Sequence, residues 1–388
     1  MADLNADDLI ETAMRRTGRD DFGGDSFREG LEILVADVNA DDRPTPLVDR
    51  MRADLLQNLA LRLKTIDYHK QHPELRSRPV ERPVFVFGMP RTGTTLLSNL
   101  LHADPARRSA VSWEIEDPFP PVREGEIETD MRAIRKLQQE REMLAAMPEM
   151  GKYYRSSAIY PNECIFFMAH DFKALSLESR GKLPGYREWY FGCDMRSAYD
   201  YHKLFLQVLQ HHQGGTWNLK MPSHGLWLDT LKSVYPDARL VWTHRDPYTA
   251  LGSFCSIISL AHQGYTGGVD RAWIAENCSF QAEEHLNRIM DYRERNGTGC
   301  IVDVHYADLA RDPLGTMKTL YAALGDPWTD EAESGMGRWL AQNPQNKFGR
   351  HEYNLSGFGL DTDKVAPRLE RYFAAHDVAR EGQGPRPA

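Results

Sequence analysis

This 388-residue chain predicts a three-layer α/β fold, a central parallel sheet flanked by helices, with a helical N-terminal extension. Three observations carry that expectation. Short runs rich in β-branched, apolar or aromatic residues (84–87, 217–220, 239–244 and 300–306) alternate with longer stretches of helical periodicity, the pattern of crossover units in a parallel sheet. The first run leads directly into a turn containing Gly88, Pro90, Arg91 and Gly93, followed by Thr94, Thr95 and leucines at helical spacing. Backbone amides of such a turn, together with a helix N-terminus, make a nest for an anion. Two later helices open on Asp-Pro pairs, Asp246-Pro247 and Asp312-Pro313, with the aspartate as N-cap and the proline at the first helical position.

Composition narrows the function classes. With 41% hydrophobic residues the chain can bury a full core, and its net charge of −9 argues against a general nucleic-acid binder, so an anion site must be a locally basic spot on an acidic protein. The five cysteines, at 164, 193, 255, 278 and 300, show no Cys-x-x-Cys spacing and predict neither a metal site nor a disulfide framework. Reduced thiols, an acidic N-terminus and the lack of an 18-residue apolar run predict a cytoplasmic protein that is not an integral membrane protein.

Taken in order, residues 1–80 carry helical periodicity at Leu9, Ile10 and Ala13, at Phe27, Leu31, Leu34 and Val35, and from Leu55 to Leu63, interrupted by Gly23-Gly24 and by the stretch around Pro44 and Pro46. This extension covers the sheet or builds a homodimer. Residues 81–375 form the α/β domain, and 376–388 lack an apolar pattern and read as a disordered tail. After the loop helix come Trp113-Glu114 and a charged helix from about Glu126 to Ala146. The stretch from Tyr153 to Phe172 is the most aromatic of the chain, and it either lines an apolar acceptor pocket or fills core. A strand through Lys220 ends in a polar elbow, Pro222-Ser223-His224.

The spacing from Gly88 to Thr95 is that of a Walker A loop with Thr94 where the lysine should stand, so the fold is P-loop-like but the point charge for a γ-phosphate is missing. Arg91 supplies the cation instead. This loop, with Arg245 followed eight residues later by Ser253, Trp113-Glu114, the Lys220 to His224 elbow, and the Asn346 to Tyr353 stretch, resembles the PAPS-dependent sulfotransferase family, and its bacterial sulfotransferase-like branch in particular. The resemblance runs from Val84 to about Leu360.

It implies a donor, 3′-phosphoadenosine 5′-phosphosulfate (PAPS, giving PAP), whose 5′-phosphosulfate is held by Arg91, Thr92, Gly93, Thr94 and Thr95 and whose 3′-phosphate is held by Arg245 and Ser253. Lys347 and Arg350 would fold over the nucleotide phosphate. The implied reaction is sulfuryl transfer to a hydroxyl or amine, with Arg91 stabilising the leaving phosphate, Lys220 touching the sulfuryl or phosphate group, and no metal in the scheme. Glu114 is the first candidate for the base, His224 the second, with His170 and Glu163 behind them. The aromatic segment favours a small hydrophobic acceptor, a lipid, sterol, phenol or alcohol. The competing readings are a P-loop small-molecule kinase and a non-catalytic nucleotide-binding protein.

Overall fold

The computed structural model describes residues 3–40, 44–146, 157–344, 355–378 and 380–381. Five strands, β1 (Val84–Phe87), β2 (Arg107–Arg108), β3 (Thr216–Lys220), β4 (Arg239–His244) and β5 (Val302–His305), form a sheet in the order β2-β3-β1-β4-β5. Every pairing is parallel, so the carboxyl ends of all strands meet along one edge. The chain leaves β1 toward the β3 side and leaves β3 for the other side, where β4 lies. Connections therefore diverge above β1, the place where an open α/β sheet leaves a crevice.

Alternation along β1 divides the core into two layers. Phe85 and Phe87 join Leu240 and Trp242 in a large cluster with the N-terminal helices, among them Leu31, Leu55 and Leu59. Val84, Val86 and Val241 point the other way, onto Leu97, Leu100, Leu101, Leu320 and Met336. A strand buried on both faces has no polar side to show, which is why it reads as an unbroken apolar run.

The N-terminal extension consists of the helices Ala6–Thr17, Arg28–Val38 and Thr45–Gln71. A buried ion pair locks the third of these to the α/β body: Arg62 Nη1 donates to Asp171 Oδ1 at 2.8 Å and its Nε donates to the Phe22 carbonyl. Hydroxyls of Ser26 and Ser197 complete the aspartate's shell at 2.6 Å each. The charge of Asp171 is thus fully satisfied away from water, the condition under which a buried pair is tolerated.

The strands expected from 217 and 239 and the two Asp-Pro helix starts appear, while the run 300–306 yields a shorter strand, because Cys300 closes a 3₁₀ turn and Tyr306 opens the helix Tyr306–Arg311. Asp246 accepts from the Tyr248 amide and Asp312 from the Gly315 amide. The charged helix begins later, at Met131, because the chain first turns through Glu126 to Asp130, whose carboxylate takes the Arg132 amide. No helix among the described residues is long and apolar enough to cross a membrane. Of the expected disordered tail, residue 379 and residues 382–388 lie outside the described residues.

One buried acid gives the fold a testable pH response. Glu178 accepts from Asn277 at 2.7 Å and Gln281 at 3.1 Å, yet burial pushes its carboxyl from an ordinary 4.5 up to about 7. Between those values the unfolded chain releases a proton that the folded chain keeps, so this group's stabilising contribution declines as pH rises through that window. In Glu178→Gln the decline is gone. The melting temperature of the variant minus that of the wild type should grow from about pH 5 to about pH 8, and a constant difference would mean the carboxyl is ionised throughout.

Candidate active site

The loop after β1 is shaped by backbone rather than by side-chain charge. Gly88, Arg91 and Gly93 all take positive φ, at 152°, 73° and 98°. Two glycines are required by contact as well: a Cβ on Gly88 would meet the Thr243 carbonyl at 2.8 Å, and one on Gly93 would meet Tyr306 Cδ2 at 2.6 Å. Thr92 turns inward, its hydroxyl 2.7 Å from the Met89 carbonyl and 2.6 Å from the Thr243 hydroxyl, and so ties the loop to β4. Thr94 then starts the helix Thr94–His102, with Gly93 as N-cap. The first amides of this helix have no acceptor within it, which is the feature an anion site at a helix start uses.

On the β4–β5 side the cations gather. Arg91 Nε donates to Ser253 Oγ at 2.9 Å, and Arg245 Nη1 donates to the Arg91 carbonyl at 3.1 Å. The Arg245 guanidinium lies over the Tyr306 ring, 4.4 Å from its centroid. Its Nε and Nη2 grip the Glu381 carboxylate at 2.5 and 2.9 Å. That is the forked geometry by which arginine takes a carboxylate or a phosphate. Asp246, which could have been an ion-pair partner for its neighbour, caps the helix Pro247–Thr266 and accepts from Thr249 Oγ1 at 2.7 Å.

Comparison with known proteins decides the family. The model of the sulfotransferase family matches residues 83–330, well over half of the chain. The chain belongs to the sulfotransferase family. It is similar to the crystal structure of sulfotransferase STF9 from Mycobacterium avium, with 38% identity over 98% of both chains and a TM-score of 0.91. It is also similar to sulfotransferase STF1 from Mycobacterium tuberculosis H37Rv, with 29% identity over 95% of this chain and 98% of that one and a TM-score of 0.82. No curated protein matches it. The chain is therefore a sulfotransferase, an enzyme of sulfuryl transfer, on a P-loop-like fold.

On the β3 side of this sulfotransferase, Lys220 ends its strand opposite Val86, two residues short of Gly88. Its side chain is 4% exposed, and Nζ lies 2.7 Å from Glu163 Oε1. Glu163 keeps 27% of its side chain accessible. Tyr160 is half-buried, and Phe166, at 41%, is among the exposed large apolar residues. Phe167 and Phe172, by contrast, are core, Phe167 stacking on Phe205 at 4.9 Å. The aromatic stretch thus divides between packing and a short accessible margin around Glu163, and Tyr153 and Tyr154 lie outside the described residues.

The other candidate bases lie deeper. Glu114 is 1% exposed, and its Oε1 accepts from Arg108 Nη2 at 2.9 Å while Arg108 also bonds Gln213 and stacks over Trp217. His224 is fully buried, bonded through Nδ1 to the Tyr199 hydroxyl at 2.9 Å, and burial holds it neutral far below the ordinary histidine range. His170 is likewise buried against Tyr201, and burial pushes it down to about 3. Lys347 and Arg350 lie outside the described residues.

Sequence reasoning passed over Tyr306, which closes on Gly93 and carries Arg245. Its place at the carboxyl end of the 300–306 run was the available signal. It also passed over the Thr92–Thr243 hydroxyl pair, for which a single threonine in a strand offers none. The close approach of Gly93 to Tyr306 is open to test. Gly93→Ala adds a left-handed penalty of about 1–2 kcal/mol to a clash with the ring, so urea denaturation should show a loss of more than about 1 kcal/mol. Unchanged stability would mean that the loop is not held against Tyr306.

Proposed function

We propose that this sulfotransferase takes PAPS as donor and transfers its sulfuryl group to a hydroxyl of a small hydrophobic acceptor, a lipid, sterol, phenol or alcohol. One observation carries the reading: Arg245 already holds an anion in a bidentate fork, beside the loop whose Arg91 carbonyl it also bonds. The Glu381 carboxylate there stands in for a phosphate. A forked cation beside a glycine-containing loop and a helix start suits a donor with a 3′-phosphate at one end and a phosphosulfate at the other. Arg245 and Ser253 would hold the first, and Arg91, Thr92, Gly93, Thr94 and Thr95 the second.

Bound there, the donor supplies the sulfuryl group, and the chain's own residues do the rest. A bond forms between the acceptor oxygen and sulfur, the bond from sulfur to the phosphate oxygen breaks, and the acceptor's proton needs a base. We assign that base to Glu163 rather than Glu114. Glu163 is accessible and adjoins Lys220 at the carboxyl edge of the sheet, whereas the Glu114 carboxylate is turned inward onto Arg108. Lys220 and Arg91 contribute positive charge where the leaving phosphate gains negative charge. Tyr160 and Phe166, three residues either side of Glu163, are the apolar groups an acceptor would meet.

Variants and ligand binding test these assignments. Glu163→Gln should lower turnover by about 10²-fold or more with donor binding little changed, while Glu114→Gln should act through stability, since it leaves the buried Arg108 without its counter-ion. Wild-type turnover in Glu163→Gln would remove it from the role. Arg245→Ala should weaken PAP binding, measured by calorimetry, by about 2 kcal/mol. In a thermal-shift series, stabilisation by PAP supports the donor assignment, and a response to ATP with magnesium alone would overturn it in favour of a kinase.

A further inference from the structure

Beneath the Lys220–Glu163 pair the fold collects three metal-binding side chains that the sequence keeps far apart. Cys164 stands at the start of the short helix Ile165–Met168, His202 lies in the helix Arg196–Leu209, and His224 lies in the turn after β3. The Cys164 sulfur and one ring nitrogen from each histidine all lie within 4.8 Å of one another, and all three residues are buried. Both rings are anchored from behind: His202 Nδ1 lies 2.7 Å from the Tyr235 hydroxyl and His224 Nδ1 lies 2.9 Å from the Tyr199 hydroxyl. The opposite nitrogens, His202 Nε2 and His224 Nε2, have no hydrogen-bond partner among the described residues. The rings stand nearly perpendicular, 84° apart, with Phe85 against His224 and Phe167 against His202.

We propose that Cys164, His202 and His224 bind one soft d10 metal ion, Cu(I) in preference to Zn(II), as a structural brace below the active site. Two neutral imidazoles and a thiolate are the donor set such ions select. A histidine whose Nδ1–H is spent on a hydroxyl presents its Nε2 lone pair in a fixed direction, the arrangement that orients metal-binding histidines. Other buried ring nitrogens also lack a partner, and what sets these two histidines apart is that they meet each other and the Cys164 sulfur at one place.

Charge ranks the ions. One thiolate neutralises Cu(I), so the complex is neutral among phenylalanines and tyrosines, and three ligands suffice for it. Zn(II) would leave a net positive charge in a dry core and call for a fourth ligand. The ion would tie the end of β3 to the segment carrying Glu163, because Cys164 follows Glu163 directly and donates its amide to the Lys220 carbonyl at 3.0 Å. The site stands whether or not Glu163 is the base.

The test uses the full-length protein, produced in medium supplemented with copper or zinc and, separately, refolded anaerobically with Cu(I), Zn(II) or Co(II). The expected result is about one ion per chain that survives gel filtration, tighter retention of Cu(I) than Zn(II), and a thiolate-to-cobalt charge-transfer band in the Co(II) form. Cys164→Ser should remove that band and weaken retention at least about tenfold, while Cys193→Ser, which alters a thiol outside the cluster, should leave both unchanged. Absence of a retained ion from wild-type protein after both loading routes overturns the proposal, and this arm needs no variant to fold. Retention undiminished in Cys164→Ser also overturns it, since the ion would then lie elsewhere, the surface group His72, Glu74 and His211 being the obvious place.

Discussion

The architecture depends on the double pairing of β1. Val86 is held opposite Lys220 on one side and Val241 on the other, and Phe87 lies opposite Trp242. A shift of this strand by one residue would exchange Phe85 and Phe87 with Val84 and Val86 between two cores of different size, so the register is strongly specified. That register also sets what surrounds the loop. Gly88 must leave the sheet beside Thr243, the loop must turn over Tyr306, and Lys220 must end beside the loop's entry.

The second organising principle is how an acidic protein concentrates positive charge. Arg91 and Arg245 are not solvated surface cations. One is directed by Ser253 and the other by the face of Tyr306 and the carbonyl of Arg91. Arg91 takes its left-handed backbone at a steric cost of the order of 1 kcal/mol, which the surrounding contacts must offset. Arg108 and Arg107 show the opposite use of the same residue type. Both are buried, spent on Glu114 and on Asp104 and Asp326, and they hold an edge strand of two residues in place.

Legibility in the sequence divides along the same line. β1, the loop, the elbow after Lys220 and the Asp246-Pro247 cap were readable because each is a local pattern whose physics is complete within a few residues. The sulfotransferase family followed from the order of those patterns. What was hidden depends on partners far along the chain. β2 carries two arginines and no apolar signal, and it exists only through its contacts with β3 and distant acids. The inward turn of Glu114 depends on Arg108 being buried, which no periodicity announces. His224 stands in a polar elbow, yet it points into a wall of Phe85 and Tyr199, and the grouping with Cys164 and His202 is a product of folding alone.

The parallel sheet also acts as a ruler. Lys220 closes β3 and Arg245 follows β4, with β1 between them. Two inter-strand steps offset their backbones by about 10 Å across the sheet, and Arg245 also stands further along, beyond Val241, the residue level with Lys220 through Val86. The spacing of hydrogen-bonded strands thus fixes where these two cations start, and the loops around them decide what lies between.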